Sequence, residues 1–311
     1  MKRRLFYFPT DPHIFPATEY YILKDIMPPV QKEFSMSTES RLNKLFHSSP
    51  VVPYDCLSRF VIMSDCHRGV GNWGDNFLKN ETIYNAALTH YYRRNFTYIE
   101  LGDGDELWEN RNMKDIMEIL EDTFRLLERF YCDKRLFMLC GNHDYAKLCQ
   151  KDAPCLCEVH ESLLLKNRVN GHSIFLVHGH QGDLLNDALW KFSRFLVRYF
   201  WRPLELFALN DPTSAAKNNT KKSAVEQRLS AWAASHSQML IAGHTHRPML
   251  PESKNSLYFN CGSCVHPHCI TALEICEEKI TLVKWSTKSS SDMGVYIGRE
   301  VLAGPLRLPL P

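Results

Sequence analysis

The stretch Phe60-Val61-Ile62-Met63-Ser64-Asp65-Cys66-His67-Arg68-Gly69 passes from four apolar residues into a polar segment rich in side chains that can bind a metal. A short apolar run that stops on polar residues and glycine reads as a buried strand delivering a loop at its C-terminal end. The pattern recurs. Tyr98-Ile99-Glu100-Leu101 runs into Gly102-Asp103-Gly104-Asp105-Glu106, and Leu136-Phe137-Met138-Leu139-Cys140 into Gly141-Asn142-His143-Asp144. Ser173-Ile174-Phe175-Leu176-Val177 runs into His178-Gly179-His180, and Met239-Leu240-Ile241-Ala242 into Gly243-His244-Thr245-His246. Between the first three runs lie helix-length segments, 82–95 and 112–129, the second with Ile116, Ile119, Leu120, Thr123 and Leu127 at helical spacing. Strand alternating with helix predicts an α/β layered fold. Past residue 257 only strand-like pieces follow, at 257–260, 270–276 and 279–285, which suit a second sheet closing the core.

The composition is that of an ordinary globular chain: 311 residues, 44% hydrophobic and 23% charged, with 37 Lys+Arg against 35 Asp+Glu. This excludes a disordered tail protein, a collagen-like chain and a disulfide-stapled miniprotein. A formal charge of +2 gives no sign of a dedicated nucleic-acid module. No run approaches the roughly 20 apolar residues needed to cross a bilayer. The basic start Met1-Lys2-Arg3-Arg4 is signal-like, but Pro9, Asp11 and Pro12 end the apolar stretch, so the chain reads as uncleaved and cytoplasmic. The eleven cysteines then read as buried small hydrophobes and free thiols. Cys261-x-x-Cys264 with His266, His268 and Cys269 fits no closed zinc pattern and reads as packing.

Collected from the five loops, the metal-capable side chains are Asp65, His67, Asp103, Asn142, His178, His244 and His246, with His143 beside them. A lone histidine at a strand end is usually a hydrogen-bonded structural residue. Five such loops, each directly after an apolar strand, are not explained that way. Mixed imidazole and oxygen donors suit zinc, manganese or iron. Seven ligands serve two ions only if one bridges, and a carboxylate such as Asp103 is the natural bridge.

The blocks Asp-x-His, Gly-Asp-x-x-Glu, Gly-Asn-His-Asp, His-Gly and Gly-His-Thr-His, in that order, resemble the calcineurin-like metallophosphoesterase superfamily over about residues 56–285. The resemblance implies a two-sheet β-sandwich flanked by helices, four layers deep in the order α/β/β/α. It implies one metal on Asp65, His67, Asp103 and His246, and a second on Asp103, Asn142, His178 and His244. The cofactors it implies are two divalent ions, Mn²⁺ first, with Fe or Zn²⁺ as alternatives. A water activated between them would attack phosphorus in line, and His143 would protonate the leaving group. Glu106 occupies the place of that histidine's acidic partner. Arg68 and His180 are expected to contact substrate, His180 from the edge of the pocket.

The expected organisation is a lead-in at 1–55, a metallophosphoesterase domain at 56–285 interrupted by a helical cap at 183–237, and a loose C-terminal tail at 286–311. Within the cap, Lys191, Arg194, Arg198 and Arg202 make a basic helical stripe beside Trp190, Phe192, Phe195, Leu196 and Tyr199. Arg194 and Arg198 are therefore expected to meet an anionic substrate, or the cap to touch an anionic lipid surface. The cap's position is distantly similar to the lid of UDP-diacylglucosamine diphosphatases, which typically carry Arg where His143 stands. The expected function is thus a phosphatase or phosphodiesterase acting on a phosphorylated substrate of unknown class. A pyrophosphatase of a nucleotide-linked lipid is the alternative, and a non-catalytic binding scaffold the reading from a different class.

Overall fold

The computed structural model describes residues 37–72, 75–110, 112–149, 156–182, 219–251, 256–290 and 294–308. The five apolar runs form strands β2 (Arg59–Met63), β3 (Thr97–Leu101), β4 (Leu136–Leu139), β7 (Ser173–Val177) and β8 (Met239–Ala242). The remaining strands are β1 (Val51–Tyr54), β5 (Val159–His160), β6 (Ser162–Asn167), β9 (Tyr258–Asn260), β10 (Cys269–Cys276), β11 (Lys279–Ser290) and β12 (Gly294–Arg307). They build a seven-stranded sheet in the order β12-β11-β10-β2-β3-β4-β5 and a five-stranded sheet in the order β1-β6-β7-β8-β9. Both sheets are mixed: β2, β3, β4 and β5 run parallel, as do β7, β8 and β9, while β10, β11 and β12 are antiparallel.

Alternation along the strands explains the layering. Phe60 and Ile62 of β2 and Ile174 and Leu176 of β7 face one core between the sheets, with Ile99, Leu139, Leu165, Ile241 and Leu273. The intervening Val61 and Met63 face a second core beneath helices α2 (Glu81–Arg93), α3 (Met113–Ile119) and α4 (Glu121–Cys132). On the far side, Phe175, Val177 and Leu240 pack against Leu42 and Leu45 of α1 (Thr38–Ser48) and Leu229 and Trp232 of α6 (Asn219–Ser235). A one-turn helix α5 (Ala146–Cys149) follows the β4 loop. The α/β layering expected from the strand-helix rhythm, and the four-layer α/β/β/α sandwich that the resemblance implies, are thus the fold.

Four boundaries differ from expectation. The helical segment 112–129 is broken at Leu120, whose backbone (φ −108°, ψ 38°) ends α3 and starts α4. The break keeps Ile116, Leu120, Phe124 and Leu127 on the core and leaves Ile119 54% exposed. The C-terminal strands do not form one closing sheet, since β9 joins β8 while β10 and β11 extend the sheet of β2. Nor is the chain after residue 286 a loose tail: β12 pairs along β11 from Ser290 opposite Gly294 to Lys279 opposite Arg307. That outer ribbon is half solvated on both faces, so its residues carry no clean apolar alternation to read. Finally, α1 and β1 are part of the sandwich rather than of a lead-in, β1 pairing parallel to β6 as an edge strand. Residues 1–36 of the lead-in and 183–218 of the cap lie outside the described residues. The rest of the expected cap is helical, as α6, and lies in the flanking layer.

Candidate metal centre

The loops after β2, β3 and β4 come from adjacent strands of one sheet, and those after β7 and β8 from adjacent strands of the other. Backbone hydrogen bonds zip the first two together: Asp65 N–H to Gly102 O (3.1 Å), His67 N–H to Asp103 O (2.9 Å) and Arg68 N–H to Gly104 O (3.0 Å). The Asp144 carboxylate ties the next pair, accepting from Gly141 N–H (2.7 Å) and Gly104 N–H (3.1 Å). Across the sheets, His244 N–H donates to Asp65 Oδ2 (2.9 Å), and within the second sheet Gly243 N–H donates to His178 O (2.8 Å). Helix α6 braces the last loop, Glu226 accepting from Thr245 Oγ1–H (2.9 Å) and Arg247 (3.1 Å).

This lattice holds a strained backbone. Asp65, His67, Asp103, His244 and His246 all have left-handed φ angles, between 48° and 65°. Each such non-glycine residue costs on the order of 1–3 kcal/mol and persists only where its surroundings enforce it. Gly102 shows how close the loops come: at φ +87° a Cβ there would lie 2.6 Å from His178 Nδ1.

Six of the seven expected ligands converge, and the seventh, Asn142, precedes the residue whose N–H donates to Asp103. His246 Nε2 is 3.0 Å from Asp65 Oδ1, and His178 Nε2 is 3.1 Å from Asp103 Oδ2. His67 Nε2 is 3.8 Å from both Asp65 Oδ1 and Asp103 Oδ2. Among the described residues the His/Cys/Asp/Glu groups able to hold a cation are Asp65-His67-His246, Asp103-His178-His244 and His67-Glu106-His143, and all lie here. Cys261 and Cys264 are buried in the cores instead. Whether these donors fit metal ions is tested by their hydrogen bonding. His67 Nε2, Asn142 Oδ1 and His244 Nε2 are buried without a hydrogen-bond partner. Native buried polar atoms are seldom left so. Their shared site and mixed nitrogen and oxygen character fit first-row divalent cations. The outer nitrogens are engaged as metal-site histidines usually are, His178 Nδ1 2.8 Å from Leu101 O and His67 Nδ1 2.8 Å from Glu106 Oε2.

Burial opposes the charges of Asp65 and Asp103, yet the surrounding imidazoles hold both carboxyls well below the ordinary value. Burial likewise opposes a charge on His178, but Asp103 and Asp65 prevail and raise it to about 9. Burial and His178 push His244 down to about 3, so its imidazole is neutral. A cation binding His178 must therefore displace a proton. Mn²⁺ affinity should tighten from pH 7 to pH 8.5 by about tenfold per pH unit for each proton released, read by chelator competition. A pH-independent affinity would contradict this.

His143 and Glu106 also meet. Glu106 Oε1 is 2.8 Å from His143 Nδ1, so the same carboxylate touches both His67 and His143. Burial disfavours the imidazolium of His143, but Glu106 and Asp103 outweigh it and raise its pKa. The remaining expectations fare differently. Arg68 is not a substrate ligand: it is fully buried, bidentate to Glu100 (2.6 and 2.8 Å) and bonded to Asp105 through Nε (2.7 Å). His180 is buried rather than at a rim, its ring 5.6 Å from that of His178. Arg194 and Arg198 lie outside the described residues. Sequence reading missed Trp108, which stacks on His143 at 4.0 Å. Its signal is an aromatic in a polar loop that no apolar periodicity accounts for.

The five strand-end loops of the two-sheet α/β sandwich thus meet at one centre lined by histidines and carboxylates. A sequence model of the calcineurin-like phosphoesterase family matches residues 58–248, and the chain belongs to that family. The family match and the ligand groups support a metal-dependent phosphoesterase. No curated protein matches the sequence. Among solved structures, Vps29 of Chaetomium thermophilum is similar at 11% identity and a TM-score of 0.41, over 79% of this chain and 96% of that one. A hypothetical protein from Thermus thermophilus is similar at 14% identity and a TM-score of 0.32, over 78% of this chain and 98% of that one. Among the described residues no helix is long and apolar enough to cross a membrane.

Proposed function

We propose that this chain hydrolyses phosphoesters, as a phosphatase or phosphodiesterase, with two divalent cations and His143 as general acid. The observation that carries the reading is the pair of ligand groups Asp65-His67-His246 and Asp103-His178-His244, drawn from different loops, beside a histidine already paired with a carboxylate. One cation would sit on Asp65, His67, Asp103 and His246 and the other on Asp103, Asn142, His178 and His244, Asp103 bridging. Such cations, Mn²⁺ first and Fe or Zn²⁺ as alternatives, neutralise phosphoryl oxygens and acidify the attacking water.

The chain's own residues supply the rest. With Nδ1 engaged by Glu106, the His143 ring keeps Nε2 to hand a proton to the leaving oxygen. Glu106 and Asp103 raise the pKa of His143, which favours the protonated imidazole that a general acid needs. Glu106 acts through the two imidazoles it touches and is a positioning residue. The alternative reading, cleavage of a nucleotide-linked lipid diphosphate, rests on the expected cap at 183–237, of which 183–218 lie outside the described residues.

The test is hydrolysis by Mn²⁺-loaded protein of a phosphomonoester, a phosphodiester and a nucleotide-linked lipid diphosphate. Preference for the water-soluble esters supports the proposal, selective cleavage of the lipid diphosphate favours the alternative, and no turnover by the loaded protein favours the scaffold. In the first case His143→Ala should lower kcat by roughly 10²–10⁴-fold while bound Mn²⁺ stays at the wild-type level.

A further inference from the structure

We infer that Trp108 is the positioning residue that locks the Asn142–His143 peptide and the His143 ring into one fixed arrangement, serving a ligand and the general acid together. The role given to His143 rests on the phosphoesterase reading above; the arrangement itself does not.

The indole and imidazole planes are stacked, with centroids 4.0 Å apart and 17° between planes. Indole Nε1–H donates to the Asn142 carbonyl oxygen at 2.6 Å. The N–H of the same peptide unit, belonging to His143, donates to Asp103 Oδ1 at 2.8 Å. The peptide joining the expected metal ligand to the expected acid is thus gripped at both ends, by Trp108 on its carbonyl and by Asp103 on its amide. Neither grip is duplicated by secondary structure, because the segment lies beyond the end of β4.

The ring needs the indole for a geometric reason. The bond from Glu106 to Nδ1 fixes one point of the imidazole and leaves it able to pivot about that contact. A stacked plane on one face removes the pivot, and the His67 ring, edge-on at 4.7 Å and 89°, closes another side. General acid catalysis requires the donor nitrogen within hydrogen-bond reach of the leaving oxygen, so a pivoting ring loses rate without losing its proton.

Trp108 can serve as a reference surface because its own turn is anchored. Glu106 N–H donates to Arg68 O (2.9 Å), and Asn110 donates to Glu106 O through both N–H (3.1 Å) and Nδ2 (2.8 Å). Arg68 is in turn held by the buried carboxylates of Glu100 and Asp105. Trp108 itself is 4% exposed, so it is not a surface on which a substrate ring could stack.

Two variants separate the two contacts. Trp108→Phe keeps an aromatic face on His143 and removes the N–H, whereas Trp108→Leu removes both. The readouts are Mn²⁺ affinity by chelator competition and kcat on matched phenyl and 4-nitrophenyl phosphate esters, the nitrophenolate needing no proton to leave. Both variants should bind Mn²⁺ about tenfold more weakly, as expected when a supporting hydrogen bond to a ligand segment is lost. Trp108→Leu should also lower the ratio of phenyl to nitrophenyl ester cleavage by about tenfold, and Trp108→Phe should restore that ratio to within about twofold of wild type. Equal loss on both esters with unchanged Mn²⁺ affinity would make Trp108 a packing residue only and overturn the inference. If the wild-type protein binds Mn²⁺ but cleaves neither ester, the phosphoesterase reading fails. The affinities then decide alone: about tenfold weaker supports the inference, unchanged overturns it.

Discussion

Asp103→Asn should leave the protein folded but unable to hold two cations, with kcat/KM lower by at least about a thousandfold, equivalent to ~4 kcal/mol of transition-state stabilisation. The substitution keeps the shape, and an amide oxygen can still accept the His143 N–H that Asp103 Oδ1 now receives at 2.8 Å. What it removes is the negative charge between the two ligand groups. Asp103 Oδ2 lies 3.1 Å from His178 Nε2 and 3.8 Å from His67 Nε2, residues expected on different cations, and is nearer to His178 than Asp65 Oδ1 is, at 4.0 Å. Elemental analysis after Mn²⁺ loading should find fewer than one ion per chain in the variant. Wild-type metal content in Asp103→Asn would show that Asp103 does not bridge.

The second large effect is on stability. Arg68→Ala leaves Glu100 and Asp105, both fully buried, without the guanidinium that joins them. Breaking a buried ion pair by removing one partner costs about 3–5 kcal/mol, because the remaining charge is stranded, here that of Glu100, since Asp105 keeps Lys147. In a chain of this size that lowers the melting temperature by roughly 10 °C. The pH dependence has a defined sign. Burial opposes the Asp105 carboxylate, but Arg68 and Lys147 prevail and lower its pKa from 3.8 to about 2. A native value below the unfolded one stabilises the protein above about pH 4, and that contribution is lost as pH falls toward 2. Thermal unfolding should therefore show a gap between wild type and variant that is full at pH 7 and narrows at pH 3. An unchanged melting temperature with a raised KM would return Arg68 to the substrate-binding role that its loop position suggests.

The strands that carry the site were legible because each is a continuous apolar run ending on a polar loop, the pattern of a parallel strand buried on both faces. The ligands were legible for the same reason, since Asp65, His67, Asp103, Asn142, His178, His244 and His246 stand directly at those ends, and the structure brings all but Asn142 into shared ligand groups. The far half of β11 and the whole of β12 were not legible, because half-solvated strands need no apolar face. Arg68 was misread because a basic residue beside a metal loop looks solvent-facing. The countersign was Glu100, a carboxylate inside the buried strand β3, which requires a cation from somewhere in the fold. Trp108 offers no ligand atom and was passed over, although its ring and N–H meet both His143 and Asn142.

The most direct test of the central claim is a titration of chelator-treated wild-type protein with Mn²⁺, read as the rate of phosphoester hydrolysis per chain against equivalents bound. The account predicts a rate that rises to a plateau as the second equivalent binds. A plateau at one equivalent, or no hydrolysis with both equivalents bound, would contradict it.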